Sequence, residues 1–275
     1  MSTQQVEKAL LARFGEAGLQ RFPYAPGGEL STRIGLPREV DPYFEAEEDA
    51  QSPDEQHPLV LGHDPAAPIQ LAGDGSVVLD YGRISLPPRA VNAALPAFAA
   101  GLVALDEALP RIREAFQQHG QDAAFDEYRL LRDQLTADDP SAFAERENWW
   151  PLVLDDIRHQ LLAPFSAAVE YIDRETGEKR ILTAQTAPGL PHPEEMLADQ
   201  LIEAGVSGQD VVRVYSELEP CLMPGHYCAL WMANGFPNAE FTHRFDYGTT
   251  AESREEGVKE LIQYLVDQAE SESRR

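Results

Sequence analysis

A chain of 275 residues is longer than one average domain and shorter than three, so two domains are expected, and a 43% hydrophobic content is enough to pack a core in each. A net charge of −25, from 22 basic and 47 acidic residues, speaks against a protein that grips duplex DNA through clustered Lys and Arg; a small nucleotide, a short single strand or a protein partner stays open. No run of about 18 apolar residues occurs, and Glu7, Lys8 and Arg13 interrupt the stretch where a secretory signal needs an apolar core, so a soluble, cytoplasmic chain with no membrane partner is expected.

Residues 1–22 carry an amphipathic helical pattern, Val6, Leu10, Leu11, Phe14 and Leu19, broken by Gly15 and Gly18. The acidic stretch from Glu45 to Glu55 reads as a solvated loop. From Leu59 short strand-like pieces follow, and Gly73-Asp74-Gly75 between two apolar runs marks a hairpin. Pro87 and Pro88 end the extended segment, and a long apolar helix begins at VNAALPAFAAGLVAL. Residues 106–164 read as two or three helices with polar joints at His119-Gly120 and Asp138-Asp139-Pro140. Exposed, Trp149 and Trp150 could stack a base; ahead of PLVLDDIRHQLL they are expected to pack a helix onto a core.

The order GLPREVDPYF (35–44), a strand, GDG (73–75), a strand, DYG (80–82) and VNAALPAFAAGLVAL (91–105) resembles the SUKH superfamily, small α+β domains known best as immunity proteins in bacterial toxin systems. The resemblance covers about residues 30–110. It implies an SUKH-like α+β domain that acts by binding another protein, a toxin or immunity partner, and no catalysis.

The second half has a different order. AVEYIDRETGEKRILTAQT is two strands around a turn at Glu175 to Gly177, a helix from about Pro193 to Ala204 is stopped by Gly205, and VVRVYSEL is a buried strand. YCALWMANGF is a helix, AEFTHRFDYG a strand, and SREEGVKELIQYLVDQAE a helix with Val258, Leu261, Ile262, Leu265 and Val266 on one face. This is the order of a three-layer α/β/α domain. The expected division is 1–110, α+β; 111–164, a helical connector; and 165–275, α/β.

Both cysteines of the chain, Cys221 and Cys228, lie seven positions apart, behind the triplet His192-Pro193-Glu194. A disulfide closing the Pro224-Gly225 turn is disfavoured in a reducing cytosol, which leaves a metal site as the stronger reading. One imidazole (His192) and two thiols (Cys221, Cys228) make three zinc ligands and leave the fourth tetrahedral position open, the pattern of catalytic rather than structural zinc. Pro193 suits a first helical position and Cys228 opens the next helix, so the partial positive charge of two helix N-termini favours thiolate over thiol.

Glu194 is placed to take a proton from zinc-activated water and pass it to a ring nitrogen as an amino group leaves, whereas Glu195 is turned about 100° around the helix. His226 competes with Cys228 as a ligand and otherwise lines the pocket. Glu217 or Glu219 could accept a hydrogen bond from a substrate amino group, and Ser216 joins Glu217 and His226 as a candidate substrate contact.

HPE followed by a helix, a strand and PC…C resembles the cytidine deaminase-like superfamily. VYSELEPCLMPGHYC with the later FDYG and SREEG resembles the bacterial polymorphic-toxin nucleic acid or nucleotide deaminases, over roughly residues 165–272. The resemblance implies His192, Cys221 and Cys228 as zinc ligands, Glu194 as proton shuttle, and a nucleobase in a nucleotide or single-stranded nucleic acid as substrate. It departs from the general P-C-x-x-C form: six residues, LMPGHY, separate the cysteines, and a tight Pro224-Gly225 loop has to bring them together. The alternative is a non-catalytic immunity or binding protein that keeps the scaffold and a structural zinc.

Overall fold

Ser2 accepts a hydrogen bond from the Gln5 backbone N–H and donates its own backbone N–H to the Gln5 side chain, a capping box that starts α1 (Thr3–Phe14) with Val6 and Leu10 buried. The computed structural model describes every residue except 55, 56, 66, 83–86, 188, 189 and 275. The chain divides into two units, Met1–Asp155 and Asp156–Arg275.

In the first unit α1 is followed by β1 (Leu19–Gln20), α2 (Glu29–Arg33) and β2 (Leu36–Pro37), with β1 and β2 paired. A meander then runs through β3 (Glu39–Val40), β4 (Phe44–Ala46), β5 (Leu59–Asp64), β6 (Ala67–Leu71), β7 (Val77–Leu79) and β8 (Arg89–Asn92), each strand antiparallel to the next. The acidic stretch starts inside β4, where Glu45 pairs with His63; residues 47–54 carry no helix or strand, and residue 55 lies outside the described residues. The hairpin expected at Gly73-Asp74-Gly75 joins β6 to β7, with Gly75 at φ 86° and its N–H on the Ala72 carbonyl.

The helices α3 (Leu95–His119), α4 (Gln121–Asp138) and α5 (Trp149–Leu162) follow, with a short 3-10 turn at Pro140–Phe143 between the last two. α4 and the first part of α5 fall in the stretch expected as a connector and lie within the first unit. Trp149 and Trp150 are fully buried. The Trp149 indole N–H donates to Asp64 (2.8 Å) and that of Trp150 to Asn92 (2.8 Å), while Asn92 in turn donates to Asp139 (3.0 Å). Packing, not base stacking, is what the tryptophan pair does. Gly101 of α3 makes room for it, since a Cβ there would stand 2.5 Å from the Trp150 ring.

The second unit takes the end of α5 and continues with β9 (Ser166–Ile172), β10 (Lys179–Gln185), α6 (Pro193–Glu203), β11 (Val211–Leu218), α7 (Cys228–Gly235), β12 (Glu240–Phe245) and α8 (Ala251–Ser273). The sheet order is β10-β9-β11-β12; β11 runs parallel to β12 and antiparallel to β9. This is a mixed α/β domain with the expected element order. Val258 and Leu261 of α8 are buried, whereas Val266, at the far end of the same stripe, is 46% exposed. Gly257 lets α8 press onto the segment after β12: a Cβ there would fall 2.0 Å from the Asp246 carbonyl, next to Tyr247. Among the described residues no helix is long and apolar enough to cross a membrane.

Candidate active site

The site is built where α6 begins, where β11 ends, and in the loop before α7. His192 is the N-cap of α6, in extended backbone, with Pro193 in the first turn; its own backbone N–H is accepted by the Glu195 carboxylate at 2.8 Å. That arrangement turns Glu194 inward, where it is 3% exposed. On β11 the period of two buries Val214, Ser216 and Leu218. The Ser216 hydroxyl donates to Glu194 Oε1 at 2.7 Å.

The long spacer between the cysteines closes on itself. Gly225 takes φ 81° and Tyr227 φ 45°, the backbone N–H groups of His226 and Tyr227 both reach the Met223 carbonyl, and Ala229 N–H donates to the Cys221 carbonyl at 3.1 Å. Cys228 thereby opens α7 with its sulfur 3.6 Å from His192 Nδ1, and Cys221 Sγ lies 3.5 Å from the same nitrogen. All three groups are buried, and their ligand atoms lie within 4.8 Å of one another.

Around this trio runs a ring of charge-assisted hydrogen bonds. Asp156, from α5, accepts from His192 Nε2 at 3.0 Å with one oxygen and from His226 Nε2 at 3.1 Å with the other. His226 Nδ1 lies 2.8 Å from Glu195 Oε2, the oxygen that also takes the His192 backbone N–H. The two imidazole rings stack at 3.7 Å and 8°. Both His226 nitrogens thus face carboxylates and neither is turned to the sulfurs.

Burial and the neighbouring His192 pull the His226 imidazole down, but the carboxylates outweigh them and push it up to about 9. Burial raises the Asp156 carboxyl, yet the two imidazoles hold it well below the usual carboxylate range. Asp156, His192 and His226 also bring three donor atoms within 4.8 Å, but there the carboxylate is already engaged by two N–H groups.

Cys221 is pushed up by burial and more than brought back by the Cys228 hydrogen bond and His192, so that it lies well below an ordinary thiol; Cys228 is pushed well above by burial and by Cys221. Burial lowers His192, but Cys221 and Asp156 hold it well above the ordinary imidazole range. The N and S donors suit zinc, whose binding would release the protons these groups carry. Glu194 is raised by burial, and its Oε2 is buried without a hydrogen-bond partner.

A pocket opens beside these groups, lined by Glu194, His192 and Cys221 and by Phe165, Glu219 and Tyr247 among others. Glu217 is not on its wall: its Oε2 accepts from the Ser166 backbone (2.7 Å) and hydroxyl (2.8 Å) across the sheet. Glu219, just past the strand, is there, and its Oε2 holds the backbone N–H groups of Tyr247 (3.1 Å) and Gly248 (2.8 Å). Ser216 serves Glu194, and His226 lies behind His192.

His159 Nδ1 meets the Tyr247 hydroxyl at 2.6 Å, and the Arg158 guanidinium, paired with Glu255, sits 2.9 Å from the other ring nitrogen. Burial and then Arg158 pull His159 down to about 3, so it is neutral.

Asp156, His159 and Gln160 were not singled out from the sequence. Their signal is a polar set at i, i+3 and i+4 on one face of a helix that is apolar over WWPLVL and at Ile157, Leu161 and Leu162.

A family model described as SUKH-4 immunity protein matches residues 8–156, and one described as Xanthomonas-like deaminase matches residues 163–264. No curated protein and no solved structure matches the chain.

Proposed function

We propose, for a chain that belongs to the SUKH-4 immunity protein family and carries a deaminase domain behind that match, that the second unit hydrolyses the amino group of a nucleobase with a zinc ion held by His192, Cys221 and Cys228. The observation that carries this reading is Glu194: a buried carboxylate, raised by burial, with Oε1 held by Ser216 and Oε2 without a hydrogen-bond partner, in a residue that lines the pocket together with His192 and Cys221. Zinc in such a set is a Lewis acid that brings the pKa of water to about 7. Glu194 takes the proton that water loses and delivers it to the ring nitrogen. The water oxygen joins the carbon bearing the amino group, and the amine departs as ammonia after a second proton passes through Glu194. A raised pKa suits a group that must accept and give a proton at neutral pH. Ser216 keeps the carboxylate in one rotamer during both transfers.

Phe165 and Tyr247 offer aromatic walls to a base beside Glu194. With a net charge of −25, a free nucleotide or a short single strand is the favoured substrate over duplex DNA. Two free buried cysteines suit a reducing compartment such as the cytoplasm. The SUKH-4 half combined with a deaminase domain is a deaminase toxin/immunity arrangement, in which the first half binds the protein partner.

The test is mass spectrometry of nucleotide pools, RNA and single-stranded DNA after exposure to wild type and to Glu194→Ala. A one-for-one exchange of amino for oxygen, absent with the variant, is expected. Zinc-loaded protein inert on every substrate would sink the reading. SUKH-4 membership favours a second reading, a binding protein that retains the scaffold; a biological effect unchanged in Glu194→Ala supports it.

A further inference from the structure

We infer that Asp156 is the positioning residue that makes His192 Nδ1 the ligand atom, and that the deaminase centre takes this group from outside the deaminase match. The inference rests on the zinc reading above. A carboxylate only accepts hydrogen bonds, so the Nε2 atom that it holds at 3.0 Å carries hydrogen, and the lone pair of the neutral ring is left on Nδ1, which faces Cys221 and Cys228 at 3.5 and 3.6 Å. Without that partner the ring could flip and offer either nitrogen.

The fixation is closed on both sides of the residue. The His192 backbone N–H goes to Glu195, Glu195 holds His226, His226 holds the second Asp156 oxygen, and the first oxygen returns to the His192 ring. Backbone and imidazole of one ligand are therefore tied into a single ring of hydrogen bonds, with His226 lying flat against it at 3.7 Å. Gln160 donates to Asp156 from one turn along α5 at 3.1 Å and steadies the carboxylate. Asp156 is 2% exposed, so water has little access to replace it.

The deaminase match begins at residue 163, and Asp156 is the last residue of the SUKH-4 match. Neither the HPE triplet nor the cysteine pair announces it. A partner of a metal-bound histidine contributes about 10- to 100-fold to metal affinity.

The test uses the full chain. In zinc-loaded wild type with 15N-labelled histidine, long-range proton–nitrogen NMR should find His192 protonated at Nε2 and bare at Nδ1. Asp156→Asn should weaken zinc, measured by competition with a chromophoric chelator, by about 10- to 100-fold, and mix the His192 tautomers. Wild type that binds zinc through Nε2 overturns the inference, as does Asp156→Asn with unchanged affinity and tautomer; both leave the deaminase reading standing. Wild type that takes up no zinc removes that reading itself. Should Asp156→Asn fail to fold, the wild-type tautomer decides alone.

Discussion

The two units bury polar groups for opposite ends. In the first, Asp64, Asn92 and Asp139 lie in the interior, where Asp64 and Asn92 accept the two tryptophan N–H groups and Asp139 takes the Asn92 amide and the Ala93 N–H. Within this cluster partners meet partners, and the result is a pair of fixed indoles, although Arg89 Nη1 elsewhere in the same unit is buried without a partner. In the second unit the buried groups do not cancel: Glu194 Oε2 has no hydrogen-bond partner, two sulfurs and a nitrogen converge, and a pocket reaches Glu194, His192 and Cys221. A buried polar group that is satisfied specifies a fold; one left with spare capacity beside a cavity marks chemistry.

The largest effect that can break this contrast is on Glu194. Glu194→Gln keeps the shape and the Ser216 contact but cannot carry the proton, so turnover should fall by about 10²- to 10⁴-fold with zinc content unchanged, measured on the same preparation. An active Glu194→Gln enzyme would erase the distinction between the two interiors at its main point.

In the first unit the expected loss is one of stability. Gly101→Ala places a methyl 2.5 Å from the Trp150 ring and should destabilise the chain by about 1–3 kcal/mol in urea unfolding. A neutral outcome would mean the indole is not locked in place.

His159 gives a pH-dependent version. Its imidazole titrates near 3 in the folded chain, below the unfolded value of 6.5, so the unfolded chain binds the extra proton between these values and stability falls as pH falls through that window. Between pH 6.5 and 5 the loss is about 2 kcal/mol. In His159→Gln that slope is absent, so the stability gap to wild type should shrink by this amount on acidification, read from urea midpoints at both pH values.

The smallest effect sharpens which glutamate faces the pocket. Glu217→Gln can still accept from Ser166 and should leave turnover within about twofold, the range of an ordinary site away from the chemistry. A drop of tenfold would put Glu217 back among the substrate contacts.

Much of the frame was legible because it is local. Pro193 after His192, the alternation of VVRVYSEL and the apolar stripe of α8 each report a period or a cap that needs no distant partner. Alternation also bears on Glu217: with Ser216 inward, Glu217 must point to the other face, which is where Ser166 holds it. The cysteine spacing was ambiguous for the opposite reason. Whether LMPGHY could close depended on Gly225 and Tyr227 both adopting left-handed backbone, and tyrosine does so rarely enough that sequence gives no warning.

By itself the sequence determined which chemical groups are available: two thiols, an HPE at a helix start, and a tryptophan pair ahead of an apolar helix. It determined the order of elements, because periodicity and capping are set within a few residues. Only the tertiary structure set Cys228 Sγ against His192 Nδ1 and turned both His226 nitrogens to carboxylates 31 and 70 residues away. Only it brought in Asp156, 36 residues before the histidine it holds. Hydrogen-bond partners are chosen by where elements meet in space, and nothing in a local pattern records that meeting.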